Sequence, residues 1–208
     1  AMDHSLDIPV AIKAFHKHTG ASMDEAVKEA KIAAGLYELE GIASARDFFW
    51  YKETPCIIMD YVDGTSIKDY VREHGRIRGD KMLILIKPLL QSLIKIHEKG
   101  ILHRDINPNN ILRNAFGDYK LGDFGIAKQL HGTLHAQTAI GTKRYVAPEV
   151  LHRGGQDAYD ARADIYCLGL VLYQLANNGY LPFFHADMPK EQWEEAVTRR
   201  LSGGTLPP

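Results

Sequence analysis

The stretch "GDKMLILIKPLLQSLIKIHEKG", residues 79–100, constrains the fold more than any other. Its spacing predicts one long helix whose apolar positions run round most of its circumference, and such a helix has to be enclosed by other helices. Pro88 belongs where a kink is tolerated or in a first turn. Lys87, Pro88, Gln91 and Lys95 interrupt the run, so it falls short of the roughly eighteen apolar residues that a bilayer span needs. We therefore expect neither a membrane-spanning segment nor a signal peptide in this chain.

The residues before this helix read differently. "IPVAIKAF" is a β-rich run, and "SMDEAVKEAKIAAGL" reads as a helix with Ser22 as N-cap, acids in its first turn and Gly35 near its stop. "ARDFFWYKETPCIIMDYV" predicts two strands around a turn at Lys52 to Pro55. After "DGT" the character turns helical, with "SIKDYVREHG" as a short helix ended by glycine. "ILRN" and "YKLGD", separated by the turn signal "AFGD", predict a hairpin. A polar loop at about 126–146 leads to a mostly apolar helix, "DIYCLGLVLYQLANNG", and "PKEQWEEAVTRRLSGG" is amphipathic. The expectation is an α+β chain of two lobes, 1–59 rich in strands and 60–208 mainly helical, with a cleft between them.

Composition narrows the partners. A net charge of −1 leaves no electrostatic case for wrapping nucleic acid or lying on an anionic membrane. Cys56 and Cys167 sit in separate apolar runs without metal-ligand spacing, which predicts buried free thiols and a reducing, cytoplasmic setting. His131 and His135 have metal-compatible spacing only on a helix, and "LHGTLHAQ" reads as a loop.

One segment concentrates reactive groups. "ILHRDINPNNIL", residues 101–112, packs an imidazole, a guanidinium, a carboxylate and several amides between apolar ends. It fits H-R-D-x-x-x-x-N through His103, Arg104, Asp105 and Asn110, and an apolar strand ending in Asp123-Phe124-Gly125 follows. Ala147-Pro148-Glu149 comes about two dozen residues later, and Val10 to Lys13 spells VAIK near the start. With these landmarks in this order, the chain resembles a eukaryotic-type serine/threonine protein kinase of bacterial character.

That resemblance implies a protein-kinase-like bilobal fold, ATP and Mg²⁺ as cofactors, and a protein serine or threonine as acceptor. Phosphoryl transfer is mostly positioning and charge neutralisation. Asp105 would accept or orient the proton of the attacking hydroxyl, and Asn110 and Asp123 would offer hard oxygens to the metal. Lys13 would meet the α- and β-phosphates, paired with Glu29 of the first helix, or with Glu25 as second choice. Met59 matches the gatekeeper, and backbone groups of Asp60 and Val62 match the adenine contacts. Thr142 of "GT" matches the threonine that bonds the catalytic loop. Thr138 occupies the place of an activating phosphothreonine, whose phosphate could pair with Arg104. Asp164 matches the buried aspartate that holds the catalytic loop's backbone from below.

Three departures qualify the likeness. No glycine precedes Lys13, so the glycine-rich phosphate lid of the family is absent from the reduced first lobe. The chain ends at "SGGTLPP", before the family's last helices and the arginine that usually pairs with Glu149, so it reads as a kinase domain truncated at both ends. Apolar surface exposed there admits a homodimer or a swapped element. Third, Asn107 stands where these enzymes carry a lysine. Loss of one well-placed donor to developing charge costs roughly 2.7–4 kcal/mol of transition-state stabilisation. The expectation is a kinase of reduced activity. The alternative is a kinase-derived module that binds nucleotide or a partner and transfers nothing, with a small-molecule kinase as a remoter reading that lacks the GT to APE segment found here.

Overall fold

The structure, a computed structural model, describes residues 1–15, 23–36, 39–123, 144–153 and 159–203. Its first sheet has four antiparallel strands in the order β1-β2-β4-β3, namely Met2–Asp3, Ile8–Ala14, Thr54–Asp60 and Ala45–Tyr51. The two-residue β1 was not legible in the sequence. The β3–β4 turn is tighter than expected: Tyr51 pairs with Thr54, so only Lys52 and Glu53 form it, and Pro55 already lies in β4. Lys52 takes φ of 55° there. Ser22, the expected cap of α1 (Met23–Ala34), lies outside the described residues.

One face of this sheet packs on α1. Phe15, Ala30, Ala33, Ala45 and Ile57 are buried together, with Phe48 and Met59 at the margin. Directly paired residues share a face, so Lys13 opposite Ile57 and Ala11 opposite Met59 lie on that same side. Ile12, on the other side, is exposed.

A second sheet, β5-β6-β7, comprises Gly64–Ser66, Ile111–Asn114 and Tyr119–Leu121. The β6–β7 hairpin is the expected one, and Asn114 Oδ1 closes its turn by accepting the N–H groups of Phe116 and Asp118. Strand β5 was read only as a connector. Three residues carry too little periodicity to announce a strand, and its pairing depends on Gly64: a Cβ there would meet the Arg113 carbonyl oxygen at 1.9 Å. Ser66 ends β5 and caps α2 (Ile67–His74) through Asp69 N–H, while Gly75 at φ 78° ends the helix.

Helix α3 (Asp80–Glu98) contains Pro88 well inside it. Leu85, Leu89, Leu93 and Ile96 are buried, each burial contributing about 1.5–3 kcal/mol. The expectation of an all-round buried helix is corrected, however, because Leu83, Ile84 and Ile94 are exposed. Only one stripe faces the core, which gathers Ile67, Val71, Ile111 and Leu121 with Cys167, Leu168 and Val171 of α5 (Ala161–Ala176). The remaining helices are α4 (Pro148–Arg153), a 3₁₀ turn at Lys190–Gln192 and α6 (Trp193–Leu201). Both cysteines are buried and free. Among the described residues, no helix is long and apolar enough to cross a membrane.

The segment after α1 ties the sheets together. Leu121 N–H donates to Gly41 O and Ala43 N–H to Leu121 O, both at 2.8 Å, around a parallel bridge between Ile42 and Leu121. Gly41 has φ of 82°, and a side chain there would strike Ser92 Oγ of α3 at 2.3 Å. This clasp carries the end of β7, and with it Asp123, towards β2.

Candidate active site

Residues 101–110, between α3 and β6, have no regular secondary structure and are held by side chains from below. Asp164, fully buried in the first turn of α5, accepts the backbone N–H of His103 and of Arg104 at 2.9 Å each. It also bonds His97 Nε2 at 2.8 Å and accepts Tyr159 O–H at 2.7 Å. A buried carboxylate is tolerable only when so fully bonded. Burial, with the nearby Cys167 and Asp164 adding to it, pushes the Tyr159 phenol well above its ordinary range. Asp164 was expected here; His97 and Tyr159 were not, because nothing local in either segment points to a shared acceptor.

His103 is buried and faces inward. Its Nδ1 accepts Asp105 N–H at 3.3 Å, so Nε2 carries the proton and donates to Gly122 O at 3.1 Å. Burial holds the imidazole below its usual pKa, in the neutral form this arrangement needs. The histidine thereby locks the loop bearing Asp105 to the strand end bearing Asp123. Arg104 and Asp123 both adopt left-handed backbone, with φ of 65° and 51°. Strained non-glycine residues of this kind cluster at functional sites.

Within the loop, Asn110 Nδ2 donates to the Asp105 carboxylate and to its backbone carbonyl, both at 2.9 Å. Asn107 Nδ2 donates to the same carbonyl at 3.0 Å, while its Oδ1 accepts the N–H and side-chain amide of Asn109 at 3.0 Å each. Asn107 therefore serves the loop's shape. Pro108 is buried, and its carbonyl accepts Lys68 N–H of α2 at 3.1 Å.

Across the cleft, Lys13 Nζ is ion-paired and hydrogen-bonded to Asp123 Oδ1, joining residues 110 apart in sequence. Lys13 also passes over the Phe15 ring, 5.2 Å from its centre. Asp105, Asn110, Asp123 and Lys13 are thus brought together from three separate segments. Glu29 lies in α1, but its side chain, like that of Glu25, is outside what the structure describes. Thr138 and Thr142 are also outside the described residues, as are His131 and His135. The Arg104 guanidinium stacks 5.4 Å over the Tyr159 ring.

Met59 lies beside the Lys13 face at the end of β4. Asp60, the last residue of β4, gives its N–H to Ser44 O at 3.0 Å, and its carboxylate accepts Arg46 Nε at 2.6 Å. Val62 follows in the connection to β5. Among the described residues, no cluster of three or more His, Cys, Asp or Glu could hold a metal. Two side-chain oxygens remain as candidate ligands, however: Asn110 spends its amide nitrogen on Asp105, in bonds that do not use its Oδ1, and the Asp123 side chain is 49% exposed.

Comparison with known proteins accords with this geometry. The protein kinase domain family matches residues 1–202. The chain is 36% identical over 154 residues to serine/threonine-protein kinase cds1 of Schizosaccharomyces pombe, covering 72% of this chain and 33% of that protein. It is 34% identical over 189 residues to PrkC of Bacillus subtilis, covering 88% and 28%, and 40% identical over 139 residues to PknB of Mycobacterium tuberculosis, covering 65% and 21%. The chain thus spans between about a fifth and a third of the length of these relatives. The crystal structure of Rad53 1–466 in complex with AMP-PNP superposes with a TM-score of 0.71 at 24% identity, over 98% of this chain and 52% of that one, which shows the fold.

Proposed function

The chain belongs to the protein kinase domain family, and from that premise we propose that it transfers the γ-phosphate of ATP to serine or threonine hydroxyls of proteins, at a rate held down by Asn107. One observation carries this reading: the VAIK lysine, Lys13, meets Asp123 beside the bonded pair of Asp105 and Asn110. No packing requirement calls for these four polar groups in one cleft, whereas phosphoryl transfer needs all of them.

Asp105, its carboxylate aimed by Asn110, takes the hydrogen bond of the acceptor hydroxyl and receives its proton. Lys13, kept in place by Asp123 and by Glu29 as the proposed helix partner, moves its ammonium onto the α- and β-phosphates. Met59 bounds the adenine pocket, with backbone groups of Asp60 and Val62 as its contacts. Thr142 braces the catalytic loop, and phosphorylated Thr138 pairs with Arg104. Residues 1–59 hold the nucleotide and 60–208 hold the protein substrate.

The family uses ATP with a divalent metal, and the donor set suits Mg²⁺, a hard ion content with one or two protein oxygens plus phosphates. Asn110 Oδ1 and the Asp123 carboxylate would hold it, and once bound it would neutralise charge on the β- and γ-phosphates. The buried free thiols favour a reducing compartment such as the cytoplasm.

The test is incubation with γ-labelled ATP, Mg²⁺ and two protein substrates, one acidic and one basic, beside Asp123→Ala. Label on serine or threonine that disappears in the variant is expected. No transfer, together with no metal-dependent thermal shift by ATP, would overturn the reading and leave a partner-binding module.

A further inference from the structure

A cleft of about 590 Å³ opens on the side of Asp105 that borders α2 and the foot of α5. We propose that it selects protein segments carrying an anionic side chain, aspartate, glutamate or a phosphorylated residue, close to the acceptor hydroxyl. The proposal rests on the kinase reading for what happens to the segment, and on the cleft alone for which segment is held.

The charge in this cleft is one-sided. Among the described residues that line it, Asp105 is the sole carboxylate, and Asn110 already engages it. Lys68 and Arg72, one helical turn apart on α2, present two cations to the opening. The Lys68 charge is felt by the adjacent Asp69, and its own N–H, bonded to Pro108 O, ties its helix turn to the catalytic loop. Arg72 shares its charge with Asp69 at 2.9 Å and lies 3.9 Å from Glu73, yet its side chain stays 68% exposed and can turn to a ligand.

Arg144 is the third cation. Its guanidinium stacks 4.4 Å over the Trp193 ring, and its buried Nε has no hydrogen-bond partner. Stacking fixes the side chain without neutralising it. The catalytic loop faces this rim with amides, Asn107 and Asn109, where an acid would balance it. A segment bearing lysine or arginine beside its acceptor is repelled here, and one bearing an anion gains a charge-assisted bond.

The test uses the full chain and fluorescent peptides identical around one serine except for flanking glutamate, phosphoserine or lysine, read by anisotropy and by phosphate transfer. The glutamate or phosphoserine peptides are expected to bind ahead of the lysine peptide by about two- to five-fold, the size of one exposed pair. The preference should shrink at about 0.5 M salt. Phosphoserine ahead of glutamate identifies substrates primed by earlier phosphorylation, and the reverse order identifies acidic sequences. Lys68→Glu with Arg72→Glu should bring the ratio, taken within that variant, to one or below. Equal or preferred binding of the lysine peptide by the unaltered chain overturns the proposal. Transfer to none of the peptides, with the binding ratio intact, would instead sink the kinase reading and keep the cleft's preference.

Discussion

Asp164 Oδ1 accepts the backbone N–H of Arg104 at 2.9 Å across 60 residues of sequence, and Arg104 is held at φ 65°. A non-glycine residue in that region costs on the order of 1–3 kcal/mol. The buried carboxylate offsets that cost and delivers Asp105, the next residue, to the cleft.

Replacing that carboxylate should therefore loosen the loop as well as the fold. Asp164→Ala strands the buried N–H of His103 together with its partners on His97 and Tyr159, and we expect a loss of about 3–5 kcal/mol. Asp164→Asn, which keeps one acceptor oxygen, should lose less. Urea unfolding of the two variants checks this, and equal midpoints for wild type and Asp164→Ala would contradict it.

Lys13→Met is expected to separate binding from stability. The Lys13–Asp123 pair is partly solvated, with side chains 28% and 49% exposed, so screening leaves it worth only about 0–1 kcal/mol to the fold. The melting temperature should barely move, while the thermal shift caused by ATP with Mg²⁺ should vanish. A large drop in Tm without ligand would mean that the pair is structural.

Asn107→Lys should raise the single-turnover rate by about tenfold or more, since it restores a positive donor near the transferring group. It should also lower stability by about 1 kcal/mol, because the bonds from Asn109 to Asn107 Oδ1 are lost. Paired rate and unfolding measurements report both effects, and a slower variant would show that the loop's shape outweighs the charge.

Acid should weaken the fold through His103. Its folded pKa lies below the ordinary 6.5, so the unfolded chain binds the proton more readily. The contribution of the neutral imidazole is complete above about pH 6.5 and is lost as the pH falls from there towards the folded pKa. Melting curves between about pH 7.5 and 5.5 should show a decline that is flatter in His103→Asn. An unchanged slope in that variant would assign the decline to other groups.

Much of the site was legible because its signals are local. His103, Asp105 and Asn110 lie within one loop, Asp123 just beyond a strand of clear composition, and Lys13 in a β-rich run. The hairpin turn after Asn114 and the stop at Gly75 are likewise short-range chemistry that sequence spells directly. Strand β5 escaped notice because its identity depends on a partner strand far along the chain, as the pairing of Thr65 with Arg113 makes plain. The exposed Leu83, Ile84 and Ile94 escaped because periodicity reveals how apolar a helix is, not which stripe its neighbours cover.

By itself, then, the sequence determined the protein kinase family, the order of strands and helices around residues 79–100, and which polar groups are candidates for the site. Tertiary structure alone decided that Lys13 meets Asp123, that His97 and Tyr159 share Asp164 with the catalytic loop, and that Lys68, Arg72 and Arg144 rim one cleft. The reason is physical. Propensity, capping and motif spacing act over a few residues, whereas these meetings are set by the Gly41–Leu121 clasp and the buried faces of α3 and α5, whose energies come from contacts distant along the chain.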